Sequence, residues 1–207
     1  MQAVWVSMAV FALAGSISPG PVNVIASALG ATQGFVRALP HVLGATLSYC
    51  AVVWLMGNGL QVLLALYPQI AQTTQYAGAV YLLYLAARIA GAPPRVSGAE
   101  GPGVDTLSAW TQGLLQGVLT QSLNPKAWLV ALSGVSLFVP EGPDSAARLV
   151  MFCAISGVVC FVSVAAWAAL GRLIRRWLAH APYQRLFNRA LAALLVFTVY
   201  SMLAQAG

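Results

Sequence analysis

The chain has 207 residues, of which 60% are hydrophobic and only 7% charged. A soluble domain carries about a quarter charged residues, so this chain has too few to wet its own surface, and its composition points to lipid as the solvent. The net charge of +6 is scattered over predicted loops, with five of the ten cations between Arg172 and Arg189; it reads as a topology signal with a secondary attraction to anionic lipid, not as the basic face of a nucleic-acid-binding protein.

Residues 1–36, 149–171 and 190–207 carry no charge, and neither do residues 38–87 apart from His41. About 20 apolar residues suffice to cross the hydrocarbon core. A first span is predicted over residues 4–29, interrupted by Ser18-Pro19-Gly20-Pro21. An Ala26-Ser27-Ala28 triplet resembles a leader cleavage site, but no basic region precedes it and the apolar run is too long, so cleavage is not expected. A second span runs from residue 39 and fades at Gly57-Asn58-Gly59, and a third covers 69–90, closing at Arg88. Residues 91–108 mix Arg95, Glu100 and Asp105 with Gly and Pro and read as a linker. A fourth span, 110–139, is interrupted at Asn124-Pro125-Lys126, and a short loop with Glu141 and Asp144 follows. The fifth and sixth spans cover 147–170 and 186–203.

The fold expected from these runs is an all-α integral membrane protein of about six transmembrane helices. Residues 1–91 form a first three-helix repeat, 92–109 a cytoplasmic linker and 110–207 a second three-helix repeat. Both interrupted spans come first in their half, and Ser16-Ile17-Ser18-Pro19 aligns with Ser122-Leu123-Asn124-Pro125 at an offset of 106 residues. An odd number of crossings per half inverts the second repeat relative to the first, and inverted repeats with broken helices hold their substrate near the midplane. Arg37, Arg88, Arg95 and the 172–189 cluster border the odd loops, while only Arg148 borders the even ones. The positive-inside rule then places the odd loops in the cytoplasm and both termini outside.

Proline removes a backbone donor and clashes with the preceding turn. Backbone freed in this way survives inside a bilayer only where it is buried in protein or lines a polar cavity. Two matched breaks therefore point to one central cavity. Lys126 is the only lysine in the chain and sits in the middle of a span, where a cation costs about 2.5–3.5 kcal/mol to insert. All four acids lie in predicted loops, so a substrate carboxylate is the expected partner of Lys126, helped by the positive ends of the half-helices. The carbonyl ends before the breaks are expected to receive a substrate ammonium group. Ser16, Ser18, Asn23, Ser122 and Asn124 add polar contacts, and Tyr81 and Tyr84, three residues apart, share a helix face that could line a cavity wall or simply pack. His41 is read as a local hydrogen-bonding residue, although it is the best titratable candidate near neutral pH. Gly113-x-x-x-Gly117 reads as close helix packing.

The chain resembles the lysine exporter and homoserine–threonine resistance (LysE/RhtB) family of amino-acid exporters over essentially its whole length. The resemblance rests on Ser18-Pro19-Gly20-Pro21, on Gly78-Ala79-Val80-Tyr81-Leu82-Leu83-Tyr84-Leu85, and on Asn124-Pro125-Lys126-Ala127. It implies secondary transport of amino acids out of the cytoplasm across a bacterial inner membrane, coupled to a proton, another ion or the membrane potential. It also implies a broken-helix site made by Pro19, Gly20, Pro21, Asn124, Pro125 and Lys126. Some relatives place an acid within the fifth span; here Val158-Val159-Cys160-Phe161-Val162-Ser163 has none, which favours a neutral amino acid. No cofactor and no metal are expected, and a homo-oligomer is compatible with the sequence.

Two rivals are weighed. A membrane thiol–disulfide carrier would place cysteine beside the break prolines, whereas Cys50, Cys153 and Cys160 lie in the second and fifth spans. An efflux carrier for another solute, such as a metal cation, would need clustered acid, histidine or cysteine ligands. A hydrolytic enzyme is not expected, because no nucleophile–base pair stands out.

Overall fold

A computed structural model describes residues 2–92, 106–174, 178 and 180–204. Most of the predicted linker, with Arg95, Glu100 and Asp105, lies outside the described residues, as do Arg175 and Arg176. Among the described residues the chain is helices joined by short breaks and loops, with no strand. The helices are α1 (Gln2–Ile17), α2 (Pro21–Gln33), α3 (Phe35–Leu55), α4 (Gln61–Leu66), α5 (Pro68–Ala90), α6 (Thr106–Ser122), α7 (Pro125–Phe138), α8 (Ser145–Ile174) and α9 (Ala181–Ala204).

Proline sets several of the starts. Pro21, Pro68 and Pro125 open α2, α5 and α7, where the missing N–H costs nothing and the fixed φ suits the first turn. Gly34 ends α2 at φ 92° and passes the chain directly into α3. Between α3 and α4 the helix loosens over Met56–Leu60, where Gly59 takes φ 99°, at the place where the Gly57-Asn58-Gly59 triplet was expected to end the second span.

Among the described residues three helical stretches are long and apolar enough to cross a membrane: Phe35–Leu66, Ser145–Ile174 and Ala181–Ala204. Helices α1 and α2 qualify together as a pair bent by 65° at the Ser18–Gly20 break. Helix α5 has the length but carries Gln69, Gln72, Thr73, Thr74 and Gln75 in its first turns; α7 alone is a shorter apolar helix.

Helix α2 lies at the centre. Its Val22 and Ala26 join a core with α1, α3, α7 and α8, while its Val24 and Ile25 join a second core with α5 and α9. Apolar burial does little to associate helices in lipid, so close approach through small residues matters more. A Cβ on Gly30 of α2 or Gly171 of α8 would strike the backbone of the other helix at Ala168 or Ser27. A Cβ on Gly44 of α3 would meet the backbone at Leu114 of α6, and one on Gly117 of α6 would meet the His41 carbonyl of α3. Gly113-x-x-x-Gly117 is thus a packing element, as its spacing predicts.

Candidate functional site

The site begins with α1. Its last turn leaves carbonyls without helical donors, and Pro19 and Pro21 prevent the chain from supplying them. Side chains do so instead. Asn23 Nδ2 donates to the Ser16 carbonyl at 2.8 Å and the Ser18 carbonyl at 3.0 Å. Trp167 Nε1, from α8, donates to the Ile17 carbonyl at 3.1 Å. Lys126 Nζ, from the first turn of α7, donates to the Ser18 carbonyl at 3.1 Å and to Ser18 Oγ at 2.6 Å.

This differs from the expectation for the carbonyl end of the first break. Three successive carbonyls are already taken by protein donors, one of them the lone lysine. The partners of Lys126 are neutral oxygens. Each charge-assisted hydrogen bond contributes about 1.5–3 kcal/mol, so two of them offset the ~2.5–3.5 kcal/mol that a mid-span cation costs.

The second break is closed by its own neighbours. Asn124 caps α7, its Oδ1 accepting from the Lys126 backbone N–H at 3.2 Å, and its Nδ2 donates to Gln121 Oε1 at 3.3 Å. Trp128 Nε1 reaches back to the Ser122 carbonyl at 2.8 Å, and Ser122 Oγ pairs with Ser48 Oγ of α3 at 2.8 Å. Gly78 of α5 lies flat against the Leu123 carbonyl, where a side chain would collide.

Between the breaks is a cavity of about 400 Å³, counted out to its open mouth, with Ser16, Gly20, Asn23, Tyr49, Gln121, Asn124 and Lys126 among its lining. The first turn of α2 opens onto it through Gly20, Val22 and Asn23, and no side chain caps this helix end. Lys126 Nζ would stand 3.6 Å from a Cβ at Gly20. A helix N-terminus and an ammonium group therefore present positive charge to the same small space.

Of the residues proposed from sequence, Ser16, Gly20, Asn23, Asn124 and Lys126 line this cavity; Ser18 holds Lys126; and Pro19, Pro21 and Pro125 shape the breaks. Tyr81 and Tyr84 lie outside it. Tyr81 packs beside the α5–α9 core. Tyr84 is 54% exposed, with its hydroxyl 3.4 Å from Arg88 and its ring under that guanidinium. His41 is fully buried, and its Nε2 lies 3.3 Å from the Val22 carbonyl, the local role read from sequence. Tyr49, Gln121, Trp128 and Trp167 were not singled out from the sequence. Tyr49 is notable because its buried hydroxyl has no partner among the described residues and its residue lines the cavity.

The cysteines divide. Cys50 of α3 and Cys153 of α8 face each other, each thiol directed at the other's carbonyl, at 4.0 and 3.5 Å. Neither lines the cavity, whereas Cys160 does. Among the described residues no group of three or more metal-ligating side chains assembles.

Residues 13–205 match the family described as LysE type translocator. The chain is similar to the cysteine/O-acetylserine efflux proteins of Escherichia coli O157:H7, Escherichia coli strain K12 and Shigella sonnei strain Ss046. Each is 27% identical over 188 residues, covering 90% of this chain and 91% of the relative. No solved structure matches the chain. A family match over nearly the whole length, on apolar helices broken at matched prolines, shows that this chain belongs to the LysE type translocators, transmembrane exporters of amino acids.

Proposed function

We propose that the chain exports a small neutral amino acid or a close derivative, bound as its zwitterion in the cavity between α1–α2 and α6–α7. One observation carries this reading: the uncapped start of α2 and the Lys126 ammonium open into the same cavity. Together they suit a carboxylate. The lining holds no carboxylate of its own for a cationic side chain, and Glu141 and Asp144 stand exposed in the loop before α8. Cysteine and O-acetylserine, named for the relatives, head the list of substrates to try.

The topology that suits this site is six crossings in two inverted three-helix repeats, with both termini outside. In that arrangement α1–α2 corresponds to α6–α7, α3 to α8, and α5 to α9. The main contacts exchange accordingly: α3 packs on α8 and α5 on α9, while α1 on α8 mirrors α6 on α3 and α2 on α8 mirrors α7 on α3.

The test is a release assay. Membrane vesicles or cells loaded with a panel of amino acids are followed for efflux, with Lys126→Ala as the control. Selective release of one or a few neutral amino acids, lost in the variant while the protein still inserts, is the expected result. Equal release by the variant would remove the assigned role of Lys126.

A further inference from the structure

The bond between Lys126 and Ser18 joins the two broken helices, and its chemistry suggests why. A carbonyl oxygen has two lone pairs, and the Ser18 oxygen already receives Asn23 Nδ2 and Lys126 Nζ. Ser18 Oγ is near the Ala14 and Gly15 carbonyls, at 3.3 and 3.4 Å, so its hydrogen turns back into α1 and a lone pair faces Lys126. An ammonium group arriving at the Ser18 oxygens can be accommodated only by displacing a donor. Asn23 is buried in the first turn of α2, and Trp167 is a rigid indole on α8. Lys126 alone holds its donor on a flexible four-carbon stem with rotatable hydrogens.

We propose that Lys126 is a stand-in for the substrate's own α-ammonium group. In the empty carrier it occupies the Ser18 oxygens. On loading, the amino acid's ammonium takes them over, and Lys126 turns to the substrate carboxylate at the start of α2. The inference rests on the reading of the cavity as the amino-acid site, and adds the rule by which the site selects. Each half of a zwitterion replaces what the other displaces. A carboxylate without an ammonium draws Lys126 away and leaves the Ser18 oxygens unfilled. An amine without a carboxylate evicts Lys126 into an unpaired state beside a second cation. Because the Lys126–Ser18 bond ties α7 to α1, the exchange also changes what holds the two halves together.

The experiment uses the full-length chain in proteoliposomes under reducing conditions. Three compounds sharing one side chain are compared: cysteine, N-acetylcysteine, which lacks the ammonium, and cysteamine, which lacks the carboxylate. Should the panel above identify a better amino acid, it and its two corresponding derivatives replace this set. Export of both derivatives at least tenfold below the amino acid is expected. In Ser18→Ala, which loosens the grip on Lys126 without touching the cavity's charge, the penalty against the N-acetyl compound should fall several-fold. Equal export of the amino acid and its N-acetyl form by the unmodified chain overturns the exchange while leaving amino-acid export standing. An unchanged ratio in Ser18→Ala also overturns it. Export of no amino acid at all brings down the exchange and the functional reading together. If Ser18→Ala fails to insert, the three-compound comparison on the unmodified chain decides the matter alone.

Discussion

The two helix breaks look alike in sequence and behave differently in space. At the second, Asn124 caps the start of α7, Trp128 satisfies the end of α6, and Gly78 lets α5 close over the Leu123 carbonyl. At the first, the carbonyl end is satisfied from elsewhere, by Trp167 and Lys126 as well as the nearby Asn23, and the start of α2 is left uncapped on the cavity. One break is a self-contained bend and the other is an open polar socket. The lysine belongs to the closed break and serves the open one.

The sharpest way to break this comparison is Lys126→Met, which keeps the stem and removes the charge. Two charge-assisted bonds are lost, each of about 1.5–3 kcal/mol, and export should fall about a hundredfold or more in an efflux assay normalised to inserted protein. Lys126→Arg should not rescue it fully, since a planar fork does not replace a compact ammonium group. Export within a few-fold of the unmodified chain would mean that the open socket does not depend on the closed break.

Next in size comes the contrast between the two asparagines. Asn23→Ala leaves the Ser16 carbonyl without its side-chain donor, and an unsatisfied buried acceptor costs about 1–3 kcal/mol. Asn124→Ala removes a helix cap, at about 1 kcal/mol. Export should therefore drop about tenfold or more in the first. The second should show mainly a lower melting temperature in detergent. The reverse order would exchange the roles assigned to the two breaks. Gly78→Ala probes the closed break from outside. Its Cβ would collide with the Leu123 carbonyl, and overpacking costs about 1–3 kcal/mol, so the expected readout is a reduced yield of folded protein with little change in substrate preference.

What the sequence makes legible follows from how local each signal is. Prolines in apolar runs, a single lysine among them and the asparagines beside them are visible within a few residues, and Asn23, Asn124 and Lys126 do line the cavity. Donors that arrive from distant helices leave no such trace. Trp167 reaches a carbonyl 150 residues away in the chain, and as a sequence it is one more aromatic in an apolar span. Spacing places Tyr81 and Tyr84 on a common face of α5, but only the packing of α5 on α9 decides which way that face turns. Gly78 is visible within the motif that carries the family resemblance, yet its task, contact with a carbonyl at the second break, depends on a helix pairing that no periodicity reveals.

The smallest expected effect concerns the cysteines, and it separates export from the rival thiol–disulfide chemistry. Cys50 and Cys153 face each other across α3 and α8, close enough for each thiol to be aimed at the other's backbone. That pairing gives the rival more substance than sequence positions alone. Yet both lie off the cavity, and a free cysteine in such a place packs as a small apolar group. Replacing both with alanine deletes only a sulfur from each, so export should stay within about twofold, a shift of less than 1 kcal/mol. Cys160 lines the cavity, so Cys160→Ser is made separately, where a change in substrate preference without loss of insertion reports contact with the ligand. A collapse of activity in the Cys50→Ala, Cys153→Ala variant, together with thiol oxidation that tracks turnover in the unmodified chain, would move the working chemistry from the two breaks to the α3–α8 interface.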